Sequence, residues 1–382
     1  MNRKKKTSSR SGAALLVVLI IVMAITITSL GFLSRSDVEL ACGENMVVRT
    51  QMDYLAESGL EHARGLILNP QDIDRSPTYQ YWAGGTGLQL QAGNDWYDVT
   101  VRETDRCNYN IECISYRRTP DGKEIGRSHL QAELRLDPCI AYWTGSSTTV
   151  PSQMIINGDV YCGGTLTNNG NSNIYGDTFA TGQITGTITG RKNESVASDY
   201  PVAWPGLAIA QTYYIGSTPY LADADPSAEA NVVPKAPSGA NPARIYYYTG
   251  NANMSGNVTI NGTLVVNGKL TVSGANNLII AEPNFPALLV NGQVEMKNGA
   301  SLVIQGLAQI EQTITIDPNA TANITVTGAL FIKGGGITSP NISATIIADP
   351  AIAAIETWPT AGTPNRWGPA AGAFFKSIRR IP

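Results

Sequence analysis

The chain has 382 residues, of which 15% are charged and 38 are glycine, and its formal net charge is −3. That length suits two or more domains. So few charges with so much glycine favour a β-rich, turn-rich exported protein over a helical cytosolic enzyme, and the acidic balance gives no electrostatic footprint for nucleic acid.

Arg3, Lys4, Lys5, Lys6 and Arg10 form a basic leader without an acid, closed by Gly12. Residues 13–33 then run without a charge. Such a run is long enough to span a bilayer as a helix, and the five basic residues hold the N-terminus in the cytoplasm. Without these five, 22 of the 27 basic residues face 30 acids, so the remainder is more acidic still. A helix-compatible sequence continues through 34–69, and Asn69-Pro70 ends it. In this stem Ala41, Asn45, Val48, Met52, Leu55, Gly59, Ala63 and Leu66 recur at steps of three and four, one face of a helix. A plain single-pass anchor fits the apolar run as well. So does a secretory signal, with Ser29-Leu30-Gly31 offering small residues for cleavage.

A basic leader, a Gly and an apolar helix that runs into an amphipathic stem resemble type IV prepilins and type II secretion pseudopilins. Gly12-Ala13-Ala14-Leu15-Leu16-Val17-Val18-Leu19 and Tyr54-Leu55-Ala56-Glu57-Ser58-Gly59-Leu60-Glu61-His62-Ala63 resemble the PilX-type N-terminal domain of minor pilins. The likeness covers roughly residues 8–68. It implies cutting between Gly12 and Ala13 by a prepilin peptidase, insertion in the lipid bilayer of a bacterial inner membrane, and other pilin or pseudopilin subunits as partners. Major pilins carry Glu at the fifth mature position, where this chain has Val17. That departure points to a minor component rather than a bulk fibre subunit.

Residues 70–140 read as a small antiparallel meander. After a loop around Gly84-Gly85-Thr86-Gly87, alternation predicts strands over 95–102, 109–116 and 128–136, with a turn at Thr119-Pro120-Asp121-Gly122-Lys123. A long helix followed by such a meander is the globular unit of pilins. The five cysteines stand at 42, 107, 113, 139 and 162, and an odd count leaves at least one unpaired or intermolecular. Cys107 and Cys113 are candidates for a disulfide closing a small loop. The competing reading is two thiols.

Glycines at 158, 164, 170, 176 and 182 recur every six residues, and again at 256, 262, 268 and 274. Apolar residues hold the positions two and four after Gly, as in Val160, Leu264 and Val266. Two inward positions separated by two are strand alternation. Three hexads make a triangular coil of roughly 18 residues, so residues 150–350 are expected to form a β-solenoid. In that register Leu264 and Val266 point inward and Val265 outward. The head loosely resembles the β-helix of bactofilins, in architecture alone. An antiparallel sandwich with Asn-Gly hairpins would not keep its turns in phase. Residues 191–249 form a Pro- and Tyr-rich insertion, expected to pack over the solenoid or cap it. Residues 351–382, with Trp358, Trp367, Phe374-Phe375 and Arg379-Arg380, are expected to cap its far end.

The fold class is therefore mainly β with a long N-terminal helix. No catalytic residue, metal site or cofactor is expected. His62 and His129 are far apart, no Cys-x-x-Cys or Gly-x-Ser-x-Gly occurs, and residues 262–270 miss a phosphate loop because Leu270 stands where Ser or Thr is required. Acids between 250 and 348 are only Glu282, Glu295, Glu311 and Asp317, too dispersed for paired-carboxylate chemistry. The expected function is assembly and display by a minor pilin or pseudopilin-like subunit, whose head ligand the residues do not name. The alternatives are a membrane-anchored surface adhesin or envelope protein, and an anchored β-helix carbohydrate-active enzyme.

Overall fold

A computed structural model describes residues 10–69, 81–105, 107–170, 172–198, 200–206, 211–215, 218–317, 319–357, 365–367, 369–370 and 372–381. Most of the leader (residues 1–9) and Trp358 lie outside the described residues. Helix α1 (Arg10–Leu68) runs unbroken for 59 residues, about 88 Å at 1.5 Å per residue. Inside the apolar run, the Thr26 and Thr28 hydroxyls donate back to the carbonyls of Val22 and Ala24, so neither is left unsatisfied. The helix becomes buried only in its second half, along Met52, Ala56, Gly59, Leu60, Ala63 and Ile67. The expected stripe is thus turned slightly: Leu55 and Leu66 sit half-buried at its margins, while Ala41 and Asn45 are exposed. The small residues decide this. A Cβ at Gly59 would strike the Cys113 sulfur and the Tyr97 ring, so glycine there lets the sheet lie directly on the helix.

That sheet is antiparallel, ordered β1 (Gly84–Leu88), β2 (Asp95–Asp105), β3 (Asn108–Arg118), β4 (Glu124–Leu136) and then the C-terminal strand Ala373–Arg380. Tyr97, Val99, Val101, Ile111, Cys113, Leu130, Ala132 and Leu134 form its buried face against α1. Ser115 donates its hydroxyl to the Met52 carbonyl at 2.6 Å, a buried tie between sheet and stem. The three expected strands are present: the first runs on three residues to Asp105, the second gains residues at both ends, and the third starts four residues earlier, at Glu124. The C-terminal segment is a correction. Instead of capping the solenoid, it returns to the meander and pairs antiparallel with β4, Ala373 opposite Leu136 and Arg380 opposite Leu130. Alternation in β4 leaves its second edge to be filled, and this strand fills it.

The solenoid begins at Ile140, ten residues earlier than expected, and runs to Ala348. All pairings between its coils are parallel, which excludes the sandwich. In the first block Val160 pairs with Thr178 and Leu166 with Ile184, 18 residues further on as the hexads require, and only the last coil is shorter, with Thr178 pairing Lys192. Downstream coils lengthen, with Leu264 pairing Leu288 and Ala300 pairing Ala322. The glycine interval has a stacking cause. A Cβ at Gly176 would run into the carbonyl of Gly158, and one at Gly190 into that of Gly176. One corner is therefore a column of residues with no room for side chains.

The winding order does not follow the order of the coils in the sequence. One face reads, strand by strand, Lys192–Asn193, Thr178–Ala180, Asp159–Cys162, Ile140–Thr144, Ala322–Ile332, Ala300–Ile310, Leu288–Val290, Thr263–Val266, Ile245–Tyr248, Asp223–Asp225. The chain thus enters mid-stack at Ile140 and winds to one end. It then crosses to the opposite end and winds back until Leu330–Ile332 pairs with Tyr142–Thr144. Between Asn193 and Asp223 the chain spans nine inter-strand steps, about 43 Å, and the described residues of this strap, Val202, Tyr213 and Ala222 among them, lie on the outside of the face. The expected insertion divides accordingly. Its first part is this strap. Its second part, from Asp223, is the terminal coil itself, paired with Tyr246–Tyr248.

The strap corrects the expectation for Val265. Outward side chains on the crossed face, Phe179, Tyr161, Trp143, Phe331, Leu289, Val265 and Tyr247, form a second buried layer with Val202, Tyr213 and Ala222 of the strap. Trp143 stacks on Phe331 and Tyr161, with ring centroids 5.6 and 5.1 Å apart, and its indole N–H donates to the Val202 carbonyl. Val265 is as buried as Leu264 and Val266.

Candidate assembly interface

From residue 14 to residue 47 every residue of α1 is exposed, a bare rod of about 51 Å. Fourteen large apolar side chains between Leu15 and Leu33 are exposed, among them Leu15 at 74%, Val17 at 55% and Phe32 at 72%. Covering them, even at half the full burial value, is worth on the order of 10–20 kcal/mol. The helix is long and apolar enough to cross a membrane. Gly12 and Ala13 lie in the first turn of α1, and Val17 sits on the bare rod.

The meander is fastened to the solenoid through a charged junction. Asp159, buried at the corner column, accepts backbone N–H groups from Cys139 at 2.7 Å and Asp177 at 2.8 Å. Asp177 accepts the Arg191 backbone N–H at 2.7 Å and the Arg191 guanidinium at 2.8 Å. Arg135 of β4 places Nη2 3.9 Å from both carboxylates. Arg135 and Asp159, with Cys107, Cys139, Gly158 and Tyr175, line a cleft of about 210 Å³. Burial pushes the Asp159 carboxyl up to about 6, against its two N–H donors and Arg135. Burial also acts on Asp177, but the hydrogen bonds and charge of Arg191, with Arg135, hold that carboxyl below its ordinary value. Every carboxylate oxygen here is engaged by an N–H donor, so the pair serves as a joint and offers no free acid or base.

The disulfide expectation is corrected at the same joint. Cys107 is bridged to Cys139, with Cα atoms 6.4 Å apart, and Cys113 is a free thiol. Cys107 and Cys113 stand six residues apart along one extended segment, about 20 Å, beyond the reach of a bridge. The antiparallel register, Asn108 opposite Arg135, carries Cys107 to the far end of β4, where Cys139 follows. Cys113 packs beneath Gly59 and Tyr97, and burial pushes its thiol up to about 12. Cys162 is buried inside the solenoid, and Cys42 is exposed on the rod.

His62 and His129 occupy structural positions. The Tyr97 hydroxyl lies 2.9 Å from His62 Nδ1, and His129 Nε2 lies 2.6 Å from the Glu112 carboxylate. On the uncovered flank Lys269, Glu295, Lys297 and Asp317 form a ladder between coils, and hydrogen bonds from Lys269 and Lys297 bring Glu295 down to about 2. Among the described residues no three His, Cys, Asp or Glu side chains are grouped to hold a metal.

No family model matches the chain, and no curated protein matches it. Among solved structures, the chain is similar to the competence-associated pilin ComZ from Thermus thermophilus, at 10% identity and a TM-score of 0.23, over 87% of this chain and 98% of that one.

Proposed function

We propose that the protein is a minor pilin or pseudopilin-like subunit, held in the membrane by the first half of α1 and displaying the solenoid outside the cytoplasm. The observation that carries this reading is the single unbroken helix. Its apolar half is bare, and its second half is the packing partner of an antiparallel sheet. A detachable signal has no reason to continue into the core of the folded unit, and a plain anchor does not need to. In this reading a prepilin peptidase cuts between Gly12 and Ala13, the lipid bilayer stores the rod, and other pilin-type subunits cover it on assembly. Display is the task and catalysis is not part of it. A surface ligand is the expected target of the head, and its class is left open.

With Val17 at the fifth mature position, the subunit lacks the acid that would answer a neighbouring N-terminal amine, and burying an unpaired amine is costly. That supports a place in few copies. Sheared surface fibres, blotted for this chain against their main subunit, test the reading. Substoichiometric recovery in the fibre fraction, abolished by Gly12→Trp, is the expected result. Complete retention of the wild-type chain in the membrane fraction overturns it.

A further inference from the structure

The two solenoid faces that the strap does not cross differ in charge. On one of them seven strands among the described residues, from Thr259–Asn261 to Asn173–Ile174, pair in parallel. One outward row reads Val303, Thr325, Thr345 and Ile155 from coil to coil, and the next reads Gln305, Thr327, Ile347 and Asn157. None of these side chains is charged, and the rows stay uncharged out to Thr259 and Asn261 at one end and Asn173 at the other. The other face carries the ladder of Lys269, Glu295, Lys297 and Asp317 instead.

The six steps between seven strands make the uncharged strip about 29 Å long, and two rows of side chains make it about 14 Å wide. At one end it runs into the cleft of about 210 Å³ at the joint, which Asn157 and Tyr175 line together with Asn108 of β3. Tyr175 stands beside Asn157, its backbone N–H donating to the Ile156 carbonyl at 2.9 Å, and it is 56% exposed. The strip thus ends on an aromatic face open to solvent.

Size and chemistry narrow the occupant. The strip covers on the order of 400 Å², half of what a protein partner needs on its side of a stable interface. The backbone groups of its strands are spent on neighbouring coils, so a peptide cannot add a strand to it. A polyanion meets no cation along its rows. What the face offers is hydroxyl and amide groups interleaved with apolar β-branched surface, repeating every ~4.8 Å along the solenoid axis. That suits an uncharged polymer whose own hydroxyl edges and C–H faces alternate.

We propose that the strip binds a neutral, extended polysaccharide lying along the solenoid axis. Thr325, Thr327, Thr345 and the amides of Gln305 and Asn157 meet its hydroxyls, and Tyr175 stacks on a sugar ring at the cleft, where the negative face of the aromatic ring attracts C–H groups. This rests on the display reading, in which the solenoid stands outside the cytoplasm, and it gives the displayed head its ligand class.

The test mixes the purified full-length chain in detergent with microcrystalline cellulose, with chitin and with a polygalacturonate resin. Retention on at least one of the two neutral polymers is expected, and it should persist in about 1 M salt because the strip has no charge to screen. Thr345→Asp in the middle of the strip and Tyr175→Ala at its end should each lower retention roughly tenfold at an unchanged melting temperature. Thr149→Asp, exposed on the laddered side of the solenoid, should leave retention as it is. No retention on either neutral polymer overturns the proposal. So does retention on polygalacturonate alone, or retention that Thr345→Asp and Tyr175→Ala leave intact. A chain trimmed at Gly12 and recovered in sheared fibres, yet not retained, leaves the assembly reading standing and sinks this one. An untrimmed chain, absent from fibres, that still binds cellulose or chitin through the strip sinks the assembly reading and leaves this one standing.

Discussion

Replacing Val265 with Asp tests the two-layered solenoid. By strand alternation Val265 points away from the core, and on an uncovered face the change would be nearly neutral. Here the strap buries it against Tyr247, Leu289 and the aromatic layer. The substitution gives up the burial of a Val side chain, about 2 kcal/mol. It also forces a carboxyl into a site with no partner, about 2 kcal/mol or more even when it takes up a proton. A total of about 4 kcal/mol corresponds to a fall in melting temperature of roughly 8–16 °C for a unit of this size. Thr345 is the control, since it occupies the equivalent outward position on a face the strap does not cross. Thr345→Asp is expected to change stability by less than about 0.5 kcal/mol. The assay is thermal unfolding of the full-length chain in detergent, followed by near-ultraviolet circular dichroism, which reads Trp143 and its stacked neighbours. Equal melting temperatures for the two variants would refute the covered face and the strap path with it.

Peptide mapping should link Cys107 to Cys139 and leave Cys113 unreactive to alkylation until the chain unfolds. Cys139→Ser, opening a loop of sequence separation 32, should cost about 3–4 kcal/mol; a Cys107–Cys113 peptide would contradict the register. Asp159 holds its proton more tightly folded than unfolded, so its contribution is present at low pH and is lost as pH rises from about 4 through about 6. The stability of the wild type relative to Asp159→Asn should therefore fall across that window, and a flat difference would refute the buried joint. Asp177, held below its ordinary value, acts in the opposite sense and loses its contribution only as pH drops below the usual carboxylate range. Gly176→Ala should destabilise by about 1–3 kcal/mol, because its methyl meets the Gly158 carbonyl; a neutral outcome would remove the stacking explanation of the hexads.

Local periodicity carried what it could. The stem, the three-strand meander and the 18-residue coil were all legible, because each is written in residues close together in sequence. The order of coils was not. Inward and outward positions alternate identically whichever coil lies next door, so nothing in 140–190 says that it abuts 330–348. A clue did stand in the sequence. Trp143, Tyr161, Phe179, Tyr247 and Phe331 are large outward aromatics on one face, and bare faces do not carry such a column. The C-terminal strand is not legible in the sequence because Phe374 and Ile378 are exposed and its alternation is broken by a register shift between Phe375 and Ser377. The cysteine pairing needed the meander's register: centring the turn at Asp121 already separates Cys113 from Cys107 and sends Cys107 toward Cys139.

The account stands most directly on the N-terminus of the protein recovered from cells. Intact mass and N-terminal peptide analysis should find a chain beginning at Ala13, with residues 1–12 removed and the whole of the apolar run retained. A chain beginning at Met1, or one cut after Gly31 to begin at Phe32, would contradict it.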